Sequence, residues 1–124
     1  MKFVAGLFVD NIQFNKDENN ATKIDIDGAF FSFKPESYPT VFQPHLVLLI
    51  NAVGSTKPTD TLITEFFIND EIVSRNVQPC PVEPGKFGYR LVRPELEVKE
   101  PVTIIAKCTL TDSNETIEIP LTAM

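Results

Sequence analysis

The chain has 124 residues, of which 43% are hydrophobic and 23% are charged, as in an ordinary globular domain. This length fits one domain that buries roughly two-thirds of the surface of its unfolded chain. The formal net charge of −6 argues against nucleic acid or an anionic membrane as the partner, because both require a basic face.

The first 33 residues predict two strands joined by a polar loop at residues 15–22. Within residues 3–14 the apolar positions change from odd to even at Asp10-Asn11. A change of face inside a strand predicts a β-bulge, in which one extra residue resets the alternation. Residues 23–33 are predicted to be the returning strand.

The middle of the chain contains its most apolar segment. Residues 34–44 carry three prolines and are predicted to form a long irregular crossing. Residues 45–53 follow and are almost continuously apolar. Such a short run predicts a strand covered on both faces, by the opposite sheet on one side and by loops or a second subunit on the other.

A second hairpin is predicted from residues 60–68 and 71–78 around the turn Asn69-Asp70. The predicted cross-strand pairs are Leu62 with Val77, Phe66 with Val73, and Phe67 with Ile72. The last pair lies on the outward face, where two large apolar side chains are unexpected. Phe67 and Ile72 are therefore the candidate interface residues. The alternative is that loops 34–44 and 79–100 fold over this face.

The C-terminal segment has the clearest strand pattern, because apolar residues alternate along 101–110 and again along 116–122. A turn at residues 112–115 would pair Leu110 with Ile117, Cys108 with Ile119, and Ala106 with Leu121. About eight strands are predicted along residues 1–124, with residues 87–92 forming a short one. The predicted fold is an all-β, two-sheet antiparallel β-sandwich of immunoglobulin-like or Greek-key order, with a closed barrel as the alternative.

Few residues suggest catalysis. The single histidine, His45, begins the most apolar strand, and the chain has no phosphate-binding loop or paired metal-ligand motif. We therefore expect no enzymatic activity and no cofactor. Cys80 and Cys108 lie far apart in the sequence and are expected to be independent thiols.

Acidic loops suggest a second kind of site. If the strands alternate up and down, the loops at 15–22, 54–59, 79–86 and 112–115 lie at one end of the sandwich. The candidate calcium ligands there are Asp17, Glu18, Asp112 and Asn114. Calcium binds six to eight oxygen ligands held by flexible loops. The alternatives are that these are simply solvated turns, or that this end binds a carbohydrate.

The chain also resembles an uncharacterised bacterial family of small β-sandwich proteins. The resemblance rests on Phe8-Val9-Asp10-Asn11-Ile12, on the strand at residues 23–30 (KIDIDGAF), on Asn69-Asp70-Glu71, and on the final Ile-x-Ile-Pro-Leu. It implies a bacterial, cytoplasmic β-sandwich. That family has no assigned activity, so the resemblance implies no functional residue.

The cytoplasm is also the compartment expected from the residues. The apolar stretch at residues 3–9 is short and is followed by Asp10, which is unlike a signal peptide. The longest apolar run, residues 46–50, is too short to span a membrane. The sequence thus predicts a non-catalytic protein-interaction or assembly module that binds itself or another protein, with a calcium- or carbohydrate-binding module as the alternative.

Overall fold

The computed structural model describes residues 1–16, 19 and 22–124. These residues form strands and no helix, so the prediction of an all-β protein is confirmed. None of them belongs to a helix that could cross a membrane. The strands are β1 (Lys2–Lys16), β2 (Thr22–Phe30), β3 (Ser32–Phe33), β4 (Thr40–Phe42), β5 (His45–Asn51), β6 (Thr59–Ile68), β7 (Glu71–Pro81), β8 (Phe87–Val92), β9 (Leu96–Val98), β10 (Val102–Leu110) and β11 (Glu115–Ala123).

The strands form two large sheets that pack together and one small sheet. The four-stranded sheet has the order β2-β1-β5-β8, and the five-stranded sheet has the order β3-β11-β10-β6-β7. β4 and β9 form the small sheet, and among the described strands only β3 and β11 pair in parallel. The predicted β-sandwich is therefore confirmed, whereas an immunoglobulin-like or Greek-key order stays a prediction.

The hydrophobic core lies between the two large sheets, because alternate residues of each strand point inward. Along β10 the burial alternates strictly, as its sequence predicted. The core combines aliphatic residues from both sheets with two large aromatic ones, and it includes Phe8, Leu46, Leu48, Ile50, Leu62, Phe66, Ile104 and Leu110.

The C-terminal hairpin, β10–β11, is shifted by two residues from the predicted register. Cys108 faces Ile117 instead of Ile119, and Leu110 faces Glu115. The three predicted pairs are therefore wrong, and the turn occupies residues 111–114 instead of 112–115. Because the shift is even, inward residues still face inward residues.

The second hairpin, β6–β7, contains a β-bulge that the sequence did not predict. Its two-residue turn is as expected, with Asn69 and Asp70 both in the left-handed region (φ 51° and 65°). Phe67 faces Ile72 as predicted, but Phe66 faces Ser74, so Val73 is an extra residue. The predicted pairs of Phe66 with Val73 and of Leu62 with Val77 are therefore wrong.

The β-bulge predicted at Asp10-Asn11 is also wrong. β1 pairs with β2 in an unbroken register, and its irregularity lies between Phe3 and Ala5, against β5. The register places Asp10 opposite Gly28, which has a φ of 67°. A Cβ atom on residue 28 would collide with the Asp10 carboxylate, so glycine on β2 leaves the space that this side chain occupies.

The distal half of β1 instead bends back over the four-stranded sheet. Phe14 stacks on Tyr89, with ring centroids 4.4 Å apart. Tyr89 faces Leu49, and Leu49 faces Ala5. Phe14 follows Ala5 by nine positions, which would span about 30 Å in a straight strand. Only a bend after Val9 brings Phe14 to Tyr89.

This bend covers the face of the four-stranded sheet that points away from the core. Val9 and Val47 are 1% and 0% exposed, although neither belongs to the core cluster that contains Phe8 and Leu46. The prediction that β5 is covered on both faces is therefore confirmed. The stacking of Phe14 on Tyr89 brings the chain's own β1 to this second face.

Residues 23–33, predicted as one strand, form two strands in different sheets. The chain leaves the four-stranded sheet at Phe30, and Ser32 and Phe33 join the edge of β11. The crossing that follows is not wholly irregular, because β4 within it pairs with β9. The Phe33 and Phe42 rings stack at 3.9 Å and attach this crossing to the core.

Candidate interaction surface

Phe67 and Ile72 lie opposite each other on the outer side of the five-stranded sheet. Their neighbour Phe66 points the other way and is fully buried. The bulge adds Val73 to the surface. Ile72, Val73 and Val77 are 52%, 43% and 50% exposed, while Phe67 is partly buried. We call Phe67, Ile72, Val73 and Val77 the outer hairpin face.

The loops expected as a possible cover for this face reach only its border, near Val73, and turn their large apolar side chains toward the core. Tyr38 and Phe42, from the first loop, pack against the core. Val82 and Leu96, from the second loop, belong to the core itself. The alternative prediction, that these loops cover the outer hairpin face, is therefore wrong. Three of the four residues of this face, Ile72, Val73 and Val77, remain open to solvent.

A groove of about 470 Å³ continues the outer hairpin face toward the small sheet. Val41 of β4 and Val73 contribute its apolar lining, and Val41 is itself exposed. Its polar lining comes from the outward residues beside β9, which are Glu95, Glu97 and Lys99. The apolar surface thus extends over two sheets and is bounded by charged side chains.

The free edge of β7 borders the outer hairpin face. β7 is an outermost strand of the five-stranded sheet, so the main-chain groups on its far side pair with no strand of the described chain. Natural edge strands are usually protected by lysine, proline, a β-bulge or short length, and β7 has its bulge at Val73 and its prolines at 79 and 81. Residues 71–78 contain no lysine and no proline. The single arginine there, Arg75, lies 3.7 Å from the Glu65 carboxylate.

The acidic loops are only partly brought together. The turn at 111–114 lies beside the start of β6, where Thr111 donates to the Thr61 carbonyl. The loop at 83–86 meets the end of β5, where Gly85 donates to the Ala52 carbonyl. Asp112 and Asn114 are in the first of these turns, whereas Asp17 and Glu18 lie outside the described residues.

The described part of the chain contains no group of three or more histidine, cysteine, aspartate or glutamate side chains placed to hold a metal ion. Asp112 and Asn114 are both exposed side chains on a four-residue turn. Calcium binding through these residues together with Asp17 and Glu18 stays a prediction.

Asp60 is the polar residue that the sequence did not single out. It is 4% exposed. Its Oδ1 accepts from the backbone N–H groups of Thr61 (2.6 Å) and Asp112 (2.9 Å). Its Oδ2 accepts from the N–H (3.0 Å) and the hydroxyl (2.6 Å) of Ser113. A carboxylate offers about four acceptor positions, so this one is fully occupied.

These contacts explain both the register of β10–β11 and the charge of the Asp60 carboxylate. Burial by itself raises the pKa of Asp60, but the hydrogen bonds from Ser113, Asp112 and Thr61 together lower the pKa below its ordinary value. The carboxylate therefore stays charged and fixes residues 112 and 113 within the turn. A cleft of about 570 Å³ adjoins Asp60, but its carboxylate has no acceptor position left for a metal ion.

The two cysteines are free thiols and are both fully buried. Cys80 faces Asp60 across β6–β7, and Cys108 faces Thr64 across β6–β10, so β6 lies between them. Burial raises the pKa of the Cys80 thiol, and it raises the pKa of the Cys108 thiol to about 11. The expectation that they are independent is confirmed.

Neither thiol is therefore expected to react in the folded protein. With Ellman's reagent at pH 8, the native chain should release almost no thiolate colour, because thiols with raised pKa values and no exposure are poor nucleophiles. The same chain in guanidinium chloride should titrate two thiols. Rapid reaction of one thiol in the native protein would show that its strand opens readily.

His45 is the first residue of β5, as its position in the sequence predicted, and it lies opposite Val9. No known protein family matches the chain, and neither the curated proteins nor the solved structures contain a match. The function must therefore be argued from the surface of the fold itself.

Proposed function

We propose that the chain is a non-catalytic module that associates with a second copy of itself through the outer hairpin face. The observation that carries this proposal is the apolar row of Ile72, Val73 and Val77, about half exposed beside an outermost strand. Exposed apolar surface of this kind on a folded domain commonly marks a protein interface. A second copy is the simplest partner, because closed symmetric pairs are the commonest assemblies.

The other sheet edges support the choice of β7. β2 carries charged residues along its length, including Lys23, Asp25 and Asp27, and charge discourages edge pairing. β3 has only two residues. The edges of β8 and β7 are joined near Pro81, since Arg90 donates to the Pro81 carbonyl at 2.8 Å, so the open part of the β7 edge lies before the prolines. Among the described edges, residues 71–78 combine length, apolar side chains and little charge.

The charge along β7 also permits a second copy to approach. A chain with a net charge of −6 repels its own copies, so a self-association surface needs to be locally weak in charge. Residues 72–74 and 76–78 of β7 are uncharged, and Arg75 is beside Glu65. We also propose the cytoplasm as the compartment, which agrees with two free thiols.

Substituting Ile72→Glu should weaken self-association at least about tenfold. The change places a charge within the apolar row, and a buried unpaired charge opposes association strongly. Light scattering over a concentration series should give a rising mass for the native chain and the monomer mass for the variant. Ile72 is half exposed, so the fold should persist by circular dichroism.

Val53→Glu is the matched control, because Val53 is 63% exposed and lies in the turn after β5. This variant should associate as the native chain does. If the native chain is a monomer at every concentration, the proposal is wrong. If Ile72→Glu leaves a stable oligomer unchanged, the oligomer uses another surface.

A further inference from the structure

The free edge of β7 has a defined hydrogen-bonding pattern. Pro79 and Pro81 lie within the β6–β7 ladder, opposite Thr61 and Thr59. Proline has no N–H group, so in a sheet its nitrogen faces away from the paired strand. The Thr61 carbonyl agrees with this orientation, because it accepts from Thr111 on the β10 side instead of pairing with β7.

The same alternation extends along the strand from the prolines. Successive residues of an antiparallel strand direct their main-chain groups alternately toward and away from the neighbouring strand. The register between β6 and β7 is continuous from Pro81 back to Ser74. Val77 and Arg75 therefore share the orientation of Pro79, and both their N–H and C=O groups face the free edge.

We propose that two copies of the chain join through antiparallel pairing of their β7 edges, with the two-fold axis at Asn76. This inference rests on the proposed self-association. In a two-fold antiparallel pair, the sequence numbers of any two facing residues add up to twice the number of the residue on the axis. Arg75 and Val77 are the edge-facing residues between the bulge and the prolines that offer both a donor and an acceptor. Pairing Arg75 with the partner's Val77 gives two complete pairs and four hydrogen bonds.

The alternative symmetric registers are poorer. An axis at Arg75 gives one complete pair, because the bulge at Val73 breaks the alternation. An axis at Val77 brings Pro79 opposite Arg75, and the proline ring occupies the place of the missing N–H group. The axis at Asn76 keeps two complete pairs and places Pro79 opposite the partner's Val73, outside them.

Side chains on the two faces of the joined strands are compatible with this register. Ser74, Asn76 and Gln78 share the inner side of β7, and all three are polar and uncharged. The axis places Ser74 opposite Gln78 and Asn76 opposite its own copy. On the outer side the half-exposed Val77 lies beside the stem of Arg75. No like charges face each other directly, and the two five-stranded sheets join into one of ten strands.

A single cysteine at the axis tests the register. Asn76 would face its copy as a non-hydrogen-bonded pair, with Cα atoms about 4.5 Å apart, which suits a disulfide. Asn76→Cys should therefore form a disulfide-linked dimer at least tenfold faster than Ser74→Cys under mild oxidation. Asn76 is exposed, so the substitution should not disturb the fold. The native chain is the blank, since its own thiols are buried.

A second variant tests the edge without a cysteine. Val77→Pro keeps the β6–β7 ladder, because residue 77 faces the free edge as Pro79 does, but it removes an edge donor and places a ring there. The variant should remain folded by circular dichroism and be monomeric by light scattering.

The outcomes separate this inference from the function on which it rests. A native dimer that Ile72→Glu disrupts, together with equal cross-linking of Asn76→Cys and Ser74→Cys, would overturn the edge pairing and leave self-association standing. A native monomer with equal cross-linking would overturn both. Selective cross-linking at Asn76, lost in the double variant with Val77→Pro, would establish the register.

Discussion

Replacing Asp60 with alanine is expected to lower the free energy of unfolding by about 2–4 kcal/mol. The substitution leaves three backbone N–H groups and the Ser113 hydroxyl without the acceptor that they share in the native protein. A lost partner for a buried donor costs about 1–3 kcal/mol, and the relaxed turn recovers part of this cost through water. Urea unfolding followed by circular dichroism measures the difference.

Asp112→Ala is the control for Asp60→Ala, because it removes an exposed carboxylate from the same turn. Its effect should stay within about 0.5 kcal/mol. An Asp60→Ala variant as stable as the native chain would mean that the turn at 111–114 forms without the carboxylate, and the explanation given for the register of β10–β11 would then be wrong.

The stability that Asp60 contributes should also depend on pH. Its pKa in the folded chain is lowered, so the folded state favours the ionised form more than the unfolded state does. The contribution is complete above the unfolded pKa of about 3.9 and is lost as the pH falls through the lower folded pKa. In the Asp60→Asn variant, the free energy of unfolding should lack this acid-dependent contribution, while the rest of its dependence on pH remains.

Phe66→Ala is expected to have the largest effect, lowering the free energy of unfolding by about 3–5 kcal/mol. Phe66 is fully buried between the two large sheets and is among the largest side chains of the core. The loss combines the transfer free energy of the ring with the cavity that it leaves. Typical domains have 5–15 kcal/mol in total, so the variant should be close to unfolding at 37 °C.

The adjacent Phe67 provides a comparison within the same strand. Phe67→Ala removes the same ring from a partly exposed position, so it should cost less than half as much as Phe66→Ala. Thermal unfolding of the two variants under identical conditions is the measurement. Equal losses would indicate that both rings are buried, which would contradict the inward and outward assignment of β6.

The sequence predicted which residues point inward better than it predicted which residues face each other. The alternation in β10 and β11 follows from the two-residue period of a strand, which any single strand reveals. The register depends on where the turn closes, and that was decided by Asp60, a residue about fifty positions away. One aspartate after a proline and a threonine carries no recognisable pattern.

The bulge in the β6–β7 hairpin, which the sequence did not predict, has a similar origin. Val73 and Val77 looked inward because a regular hairpin from the Asn69-Asp70 turn would place them there. The extra residue at position 73 reversed both, which increased the apolar surface on the outer hairpin face. Phe67 and Ile72, in contrast, lie between the turn and the bulge, so their pairing was predicted correctly. Local pattern thus identified the candidate surface but underestimated its size.

The folded-back β1–β2 hairpin has a consequence for how the molecule fluctuates. β5 lies between β1 and β8 and packs against the opposite sheet, and the Phe14 ring stacks on Tyr89 of the adjacent β8. Its amide hydrogens are sheltered by layers from different parts of the chain. Fraying of any one edge leaves the others in place, so amide exchange along β5 requires opening of nearly the whole fold. Slow exchange there would identify β5 as the last strand to open.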